Sequence, residues 1–334
     1  MKSRRIILGL AITSTLLFFC TSRSINPELV YSTYLGSSGA DGTNNWLKHF
    51  SLDQSGTVFF ATSTDTTDFP VTNQAYDKTY NGGSNWGKED LVIVEFNINQ
   101  NALKYASYFG GKNGPEFVSK VLRKGNSLYL AGNTASNDFP HTANAFDSTF
   151  NGPVFRHSDA YITRFDNNNL AYSSYIGTSG TDWAQNLFVN KQNEVTLVGL
   201  FKEFNELPNV HSFMEYEADR QGYAGVIRLN SKGDSILSSS KLAPSWYLDA
   251  CSDDEGNIYI AASTPSKNAP ITPEAYDTSF NGGDKNYGGD IIITKLNPQC
   301  DKILFSTYLG GSDHDRFPSI CLDKDNNIIV FGET

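Results

Sequence analysis

The sequence predicts an all-β protein built from repeated modules. A six-residue phrase, Tyr-Ser-Thr-Tyr-Leu-Gly, stands at 31–36 and returns in related form at 105–110, 172–177 and 305–310, with a degenerate copy at 238–243. The spacings of 74, 67, 66 and 67 residues are typical of a repeat architecture. Short apolar segments between turn signals, without sustained helical periodicity, favour strands.

Each period is interpreted as four short strands. In the first copy, strands at 46–52 and 57–63 flank a tight turn at 53–56, and Gly or Asn recurs in the equivalent turns because such turns often need a positive φ. The second strand is almost continuously apolar, which is typical of a strand covered on both faces. A long connection then leads to a third strand, and the repeated phrase forms the fourth. The predicted third strands are 90–96, 159–165, 223–229 and 290–296.

The repeats divide the chain into consecutive modules. We expect a targeting segment at 1–19, a tether at 20–30, a lone fourth strand at 31–36, complete modules at 37–109, 110–176, 177–242 and 243–309, and a partial module at 310–334. Two explanations of the partial module stay open. The sequence is part of a longer chain, or a five-module ring closes with a shortened last module.

The N-terminal segment predicts export. Lys2, Arg4 and Arg5 precede an apolar run at 6–19 that is too short to span a bilayer comfortably. Cys20 follows the run, and the pattern resembles a bacterial lipoprotein signal in which this cysteine carries the lipid. We therefore expect a cell-envelope lipoprotein, at the outer membrane or cell surface, that contacts the membrane only through its lipid. An ordinary signal peptide and an uncleaved anchor are the alternatives.

Composition narrows the function further. Hydrophobic residues make up 39% of the chain and aromatic residues 13%, enough for a packed core. A net charge of −10 argues against nucleic acid as a partner, because such binding needs clustered Lys and Arg. The remaining cysteines, Cys251, Cys300 and Cys321, have no metal-ligand spacing and are expected to be buried thiols.

The composite repeat resembles the SBBP family of β-propeller repeats. Its phrases stand here at 254–264, 68–72, 289–296 and 305–311. The resemblance covers roughly residues 30 to 334 and implies a propeller of four-stranded antiparallel blades around a central channel. It also implies an exported bacterial protein, and the repeats of this family mark a scaffold rather than an activity.

An acidic residue recurs a few positions after the glycine of the phrase. If the first strand of each blade lines the channel, these residues ring one mouth and could hold a hard cation such as Ca²⁺ through oxygen ligands. The alternative is that each carboxylate accepts hydrogen bonds from its own turn. No other cofactor is expected. The acids are Asp41, Glu116, Asp182 and Asp315.

Aromatic residues on the long connections form a second candidate site. Trp86 and Tyr287 lie in short insertions and are the best candidates for exposed contacts with a sugar or peptide. The alternative is that aromatic residues of these connections fill gaps between blades.

The sequence carries little evidence of catalysis. It contains neither a G-x-S-x-G nor an H-E-x-x-H motif. We therefore expect a scaffold without catalytic activity that binds a protein or glycan at the cell envelope. One alternative is a propeller enzyme, a polysaccharide hydrolase or lyase with acidic residues at the channel mouth. Another is a structural fragment of a larger surface protein.

Overall fold

The chain folds into a succession of antiparallel sheets, as predicted. The computed structural model describes residues 7–8, 29, 31–42, 50–82, 89–152, 158–214, 222–282 and 289–334. Within these ranges the helical structure is one 3₁₀ turn, Phe204–Glu206, and every other regular element is a strand. A search of the same ranges finds no helix with the length and apolarity needed to cross a membrane.

Four consecutive segments each form a sheet whose four main strands are antiparallel and hydrogen-bonded in chain order. The first sheet contains β2 (Phe50–Leu52), β3 (Thr57–Thr64), β4 (Asp90–Asn97) and β5 (Ala102–Phe109). The second contains β6 (Glu116–Lys124), β7 (Ser127–Thr134), β8 (Asp159–Asp166) and β9 (Asn169–Ile176). The third contains β10 (Asp182–Val189), β11 (Val195–Phe201), β13 (Tyr223–Leu229) and β14 (Ile236–Pro244), with β12 (Val210–Ser212) added in parallel to β14. The fourth contains β15 (Tyr247–Ser252), β16 (Ile258–Thr264), β17 (Asp290–Leu296) and β18 (Ile303–Leu309).

The last sheet is smaller. It pairs β19 (Arg316–Leu322) with β20 (Ile328–Glu333), and β1 (Ile7–Leu8), within the predicted targeting segment, adds in parallel to β20. Residues 31–36 form no strand, although the sequence predicts one, and Tyr34 is fully exposed. A fourth strand needs a third strand as its hydrogen-bonding partner. The described residues of this sheet include no third strand.

The core lies between successive sheets. Phe59 and Ile93 of the first sheet pack with Val121 and Leu130 of the second, and equivalent clusters fill the next three junctions. All seven residues of β16 are buried, as expected for a strand covered on both faces. From the second sheet onward, the first strand of each sheet packs against the sheet before it, so burial of apolar surface stabilises the stack.

The tight turns between first and second strands follow their predicted chemistry. In the first sheet, the Asp53 side chain accepts a hydrogen bond from the Thr57 amide at 2.9 Å, and Gly56 has a φ of +78°. The left-handed position is always Gly or Asn, which tolerate it at low cost. Its occupants are Gly56, Gly125, Asn193, Gly256 and Asn326.

The repeated phrase ties the fourth strand to the long connection of its own sheet. The Tyr175 hydroxyl donates to the Ser136 carbonyl at 2.8 Å and accepts from the Phe139 amide at 3.0 Å. Tyr108 and Tyr308 make the same pair of bonds in the first and fourth sheets. A buried hydroxyl that satisfies two backbone groups explains why the phrase keeps this tyrosine.

Only one of the three cysteines is fully buried, which corrects the prediction. Cys300 is buried, Cys251 is partly buried and Cys321 is exposed. On β19, Ile320 and Leu322 pack against the fourth sheet, so the alternation of side chains along the strand places Cys321 on the opposite face.

Candidate functional site

The four acids predicted at the channel mouth occupy equivalent positions in the repeat. Glu116 and Asp182 begin the first strand of a sheet, Asp315 directly precedes one, and Asp41 lies nine residues before β2. Each accepts a hydrogen bond from the amide that follows the glycine of the phrase. The amides are those of Ser37 to Asp41 at 2.6 Å, Gly111 to Glu116 at 3.2 Å, Thr178 to Asp182 at 2.5 Å and Gly311 to Asp315 at 2.8 Å. Glu116 and Asp182 are fully buried, so these acids close local turns.

Three of these acids have a carboxyl partner from the preceding sheet, at the first residue of its third strand. Asp90 lies beside Glu116, Asp159 beside Asp182, and Asp290 beside Asp315. The Oδ2 atoms of Asp90, Asp159 and Asp290 each accept an amide of the long connection at 2.8 Å. Their Oδ1 atoms are buried and have no hydrogen-bond partner among the described residues.

The glycine of the phrase lies against each pair. A Cβ on Gly110 would be 2.6 Å from Glu116 Oε2 and closer still to Asp90 Oδ1. A Cβ on Gly310 would be 2.7 Å from both Asp290 Oδ1 and Asp315 Oδ2. Any larger residue would collide with the carboxyl groups, so the close approach requires glycine.

Burial raises the pKa of these carboxyl groups because it penalises the charged form. It raises the pKa of Asp90 and of Asp159 from 3.8 to about 7, and that of Asp182 to about 6. For Glu116, burial and then the charge of Asp90 raise the pKa well above its ordinary value. These values are suited to proton exchange near neutral pH, but the pairs are closed to solvent and cannot touch a substrate.

An open cleft of about 460 Å³ lies beside the Asp90–Glu116 pair, between the first and second sheets. Its walls carry Asp77 and Tyr76 on one side and Asp138 and Lys112 on the other. Asp138 Oδ1 accepts the Lys112 amide at 2.9 Å and the Ser136 hydroxyl at 3.0 Å. Carboxylates, a lysine and an aromatic ring on one open surface can position a polar polymer and exchange protons with it.

The Asp77 carboxylate is held in place by its own connection. Its Oδ1 accepts the Thr79 amide at 2.7 Å, and its Oδ2 accepts the Asn81 side chain at 2.8 Å. The Tyr76 ring packs edge-on against Phe109 and Phe165, with centroids 5.9 and 5.5 Å apart, and 43% of the residue is exposed.

The cleft was not predicted from the sequence, although its signals were visible. Asp138 begins a second repeated phrase, Asp-Phe-Pro, which stands at 68–70 and 138–140. Asp77 ends a third, Ala-Tyr-Asp, which stands at 75–77 and 275–277. The third strands of the first, second and fourth sheets also begin with Asp. The predicted site residues Cys20, Trp86 and Tyr287 lie outside the described residues. In the ranges that the structure does describe, no three His, Cys, Asp or Glu side chains converge as metal ligands, and calcium binding stays a prediction.

No family model and no curated protein matches this chain. Among solved structures, it is similar to a polysaccharide lyase described as an ulvan lyase, with 8% identity, a TM-score of 0.44, and coverage of 82% of this chain and 61% of the lyase. It is also similar to a thermostable family-43 glycoside hydrolase, with 9% identity, a TM-score of 0.36, and coverage of 90% and 88%. A protein of unknown function from Dyadobacter fermentans has 11% identity, a TM-score of 0.41, and coverage of 84% and 73%.

These neighbours correct the functional prediction. The lyase and the hydrolase are enzymes, which contradicts the expectation of a binding scaffold without catalytic activity. The chain spans 61% of the length of the lyase. With identities of 8% and 9% and TM-scores below 0.5, neither structure assigns a reaction or a substrate to this chain.

Proposed function

We propose that the protein is a polysaccharide-cleaving enzyme whose substrate binds in the cleft between the first and second sheets. The carrying observation is the set of side chains on this one open surface, namely Asp138, Lys112, Tyr76 and Asp77. Together they supply a base, a cation, a hydroxyl and a fixed carboxylate. This set suits β-elimination at a uronic acid, the reaction of a polysaccharide lyase.

In the proposed reaction, each cleft residue has one role. The Asp138 carboxylate takes the proton from the sugar carbon next to the uronate carboxylate, and the Lys112 ammonium pairs with that carboxylate to favour carbanion character. The bond from the neighbouring carbon to the glycosidic oxygen breaks as a carbon–carbon double bond forms. The Tyr76 hydroxyl gives a proton to the leaving oxygen and recovers one from water. Asp77, whose two oxygens both accept hydrogen bonds, orients the sugar hydroxyls.

The proposal includes a β-propeller arrangement of the sheets. It is supported by the regular succession of the sheets and by the packing of β6, β10, β15 and β19, each against the preceding sheet. In such an arrangement, the ends at which first and third strands begin share one face, and the cleft opens on it.

The test is an activity screen with uronate polymers. Polygalacturonate and alginate are incubated with the protein, and the ultraviolet absorbance of unsaturated uronate products is followed. We expect Asp138→Asn to lower kcat by about 10²- to 10⁴-fold. Asp68→Asn is the matched control, because Asp68 holds the same place in its phrase and accepts the Ser38 amide at 3.2 Å but lies outside the cleft.

Three results would contradict the proposal. If neither polymer is cleaved, the proposed function is wrong. If new reducing ends appear without the absorbance of unsaturated products, the reaction is hydrolysis and not elimination. Equal losses in the Asp138→Asn and Asp68→Asn variants would remove Asp138 from the reaction.

A further inference from the structure

A second group of side chains on this protein is built for binding, away from the cleft. The first strands of four successive sheets each carry an aromatic residue at their first or second position. The residues are Phe117, Trp183, Tyr247 and Phe317. Trp183, Tyr247 and Phe317 are exposed to 43%, 40% and 41%. We name these three residues the aromatic shelf.

The strands that carry the aromatic shelf are packed side by side. The Asn186 side chain of β10 donates to the Ala250 carbonyl of β15 at 2.7 Å. The Ser319 hydroxyl of β19 donates to Asp249 of β15 at 2.9 Å. The shelf residues therefore lie at the same end of three connected strands.

The rings of Tyr247 and Phe317 are in contact, with centroids 4.3 Å apart and planes inclined by 44°. Tilted contacts of this kind hold the rings in place and leave part of each face to solvent. Exposed apolar groups that are clustered, unlike scattered ones, mark binding surfaces.

The backbone at Phe317 is strained. Its φ is +50°, a left-handed conformation that costs a non-glycine residue about 1–2 kcal/mol. The pairing of β19 with β20 is irregular at this point, between Arg316 and Ser319. Strain of this kind concentrates at functional sites, where the surrounding structure maintains it.

A cation, Arg316, adjoins the shelf. The Arg316 guanidinium carbon lies 5.8 Å from the centre of the Phe317 ring. Glu333 is its cross-strand neighbour, but Arg316 forms no salt bridge with any residue in the described ranges, and its Nε has no hydrogen-bond partner there. In a protein with a net charge of −10, an arginine that has no acidic partner among the described residues and lies beside exposed rings complements an anionic ligand.

We propose that Trp183, Tyr247, Phe317 and Arg316 form a binding subsite for an acidic polysaccharide. Sugar rings stack their C–H faces on the aromatic side chains, and a uronate carboxylate pairs with the guanidinium of Arg316. The choice of ligand rests on the proposed function, since the same polymer would be cleaved in the cleft. The subsite itself is separate from the cleft and would retain the polymer between cleavage events.

Affinity electrophoresis tests the subsite without requiring turnover. The full-length protein is run in native gels that contain polygalacturonate or, as a neutral polymer, hydroxyethyl cellulose. We expect polygalacturonate to retard the wild-type protein, and Trp183→Ala and Phe317→Gly to weaken its affinity about tenfold, equivalent to about 1.4 kcal/mol. Phe317→Gly removes the ring and also relieves the positive φ, so this variant is expected to fold at least as well as the wild type.

Two further variants sharpen the test. Arg316→Gln is expected to weaken binding of polygalacturonate and to make that binding less sensitive to salt. Tyr276→Ala is the control, because Tyr276 is a strongly exposed aromatic residue that lies away from the shelf on the connection between β16 and β17.

The outcomes separate this inference from the proposed function. Retardation of the wild type that is lost in Phe317→Gly, in a protein that cleaves no polymer, would support the subsite while removing the enzyme proposal. If the protein cleaves uronate polymers but the Trp183→Ala and Phe317→Gly variants are retarded as strongly as the wild type, the subsite proposal is wrong and the enzyme proposal stands. Absence of retardation by polygalacturonate, or an equal loss in Tyr276→Ala, would also overturn it.

Discussion

The buried carboxyl pair at Asp90 predicts an unusual response to pH. Asp90 is fully buried, its Oδ2 accepts the Asn81 amide at 2.8 Å, and its Oδ1 has no partner among the described residues. The substitution Asp90→Asn retains an oxygen for the Asn81 amide. It also places an NH₂ group where a protonated carboxyl would otherwise face Glu116. The variant therefore imitates the protonated form of Asp90 at every pH.

The sign and size of the effect follow from proton linkage. Burial raises the pKa of Asp90 from 3.8 to about 7, so the folded state binds this proton more tightly than the unfolded state does. The resulting stabilisation is complete below the unfolded pKa and is lost as the pH rises toward the folded pKa. The difference between the folded and unfolded pKa values corresponds to at most about 4 kcal/mol in the free energy of unfolding, at about 1.4 kcal/mol per pKa unit.

We expect Asp90→Asn to match the wild type near pH 4 and to exceed its free energy of unfolding by several kcal/mol near pH 8. Urea unfolding, followed by tryptophan fluorescence at a series of pH values between these limits, measures the difference. A variant whose free energy of unfolding runs parallel to that of the wild type would refute the reasoning, as would one that is less stable at the higher pH.

Asp53→Asn is the control with the opposite sign. The Ser55 hydroxyl and the Thr57 amide donate to the Asp53 carboxylate and lower its pKa below 3.8. Its stabilisation is present above the unfolded pKa and is lost as the pH falls through the folded pKa. The Asn variant is therefore expected to be less stable than the wild type at neutral pH and equal to it in strong acid.

Two stability predictions concern the repeated phrase. Gly110→Ala is expected to destabilise the protein by about 2–3 kcal/mol, because its Cβ would collide with Asp90 and Glu116. Gly311→Ala, whose Cβ would meet nothing within 4 Å, should change the melting temperature little, and equal shifts would contradict this explanation. Tyr175→Phe should cost about 1–3 kcal/mol, because it leaves the buried Phe139 amide without its acceptor. A melting temperature equal to that of the wild type would show that the hydroxyl is dispensable.

Much of the fold could be predicted because its signals are local. The third strands at 223–229 and 290–296 were predicted with their observed ends, and those at Asp90 and Asp159 end one residue later than expected. Alternating apolar residues and turn chemistry depend on near neighbours in sequence. Residues 31–36 show the limit, because a good strand sequence forms no strand without a partner to complete its hydrogen bonds.

The candidate site was harder to predict because it depends on contacts between sheets. Glu116 was singled out from its repeat position, but its partner Asp90 lies on a strand of the preceding sheet. The cleft likewise combines Asp77 with Asp138, which come from the long connections of two different sheets. Sequence periodicity places residues within a module and carries no measure of how closely two modules approach.

The sequence by itself determined the β content, the module length, the turns with a positive φ and the glycine of the phrase. Each of these depends on backbone conformation within a few residues. Only the tertiary structure decided which carboxyl groups meet, which of them lose contact with water and which aromatic rings stay exposed. Burial and pairing arise when sheets stack, and they turn ordinary aspartates into groups that exchange protons near neutral pH.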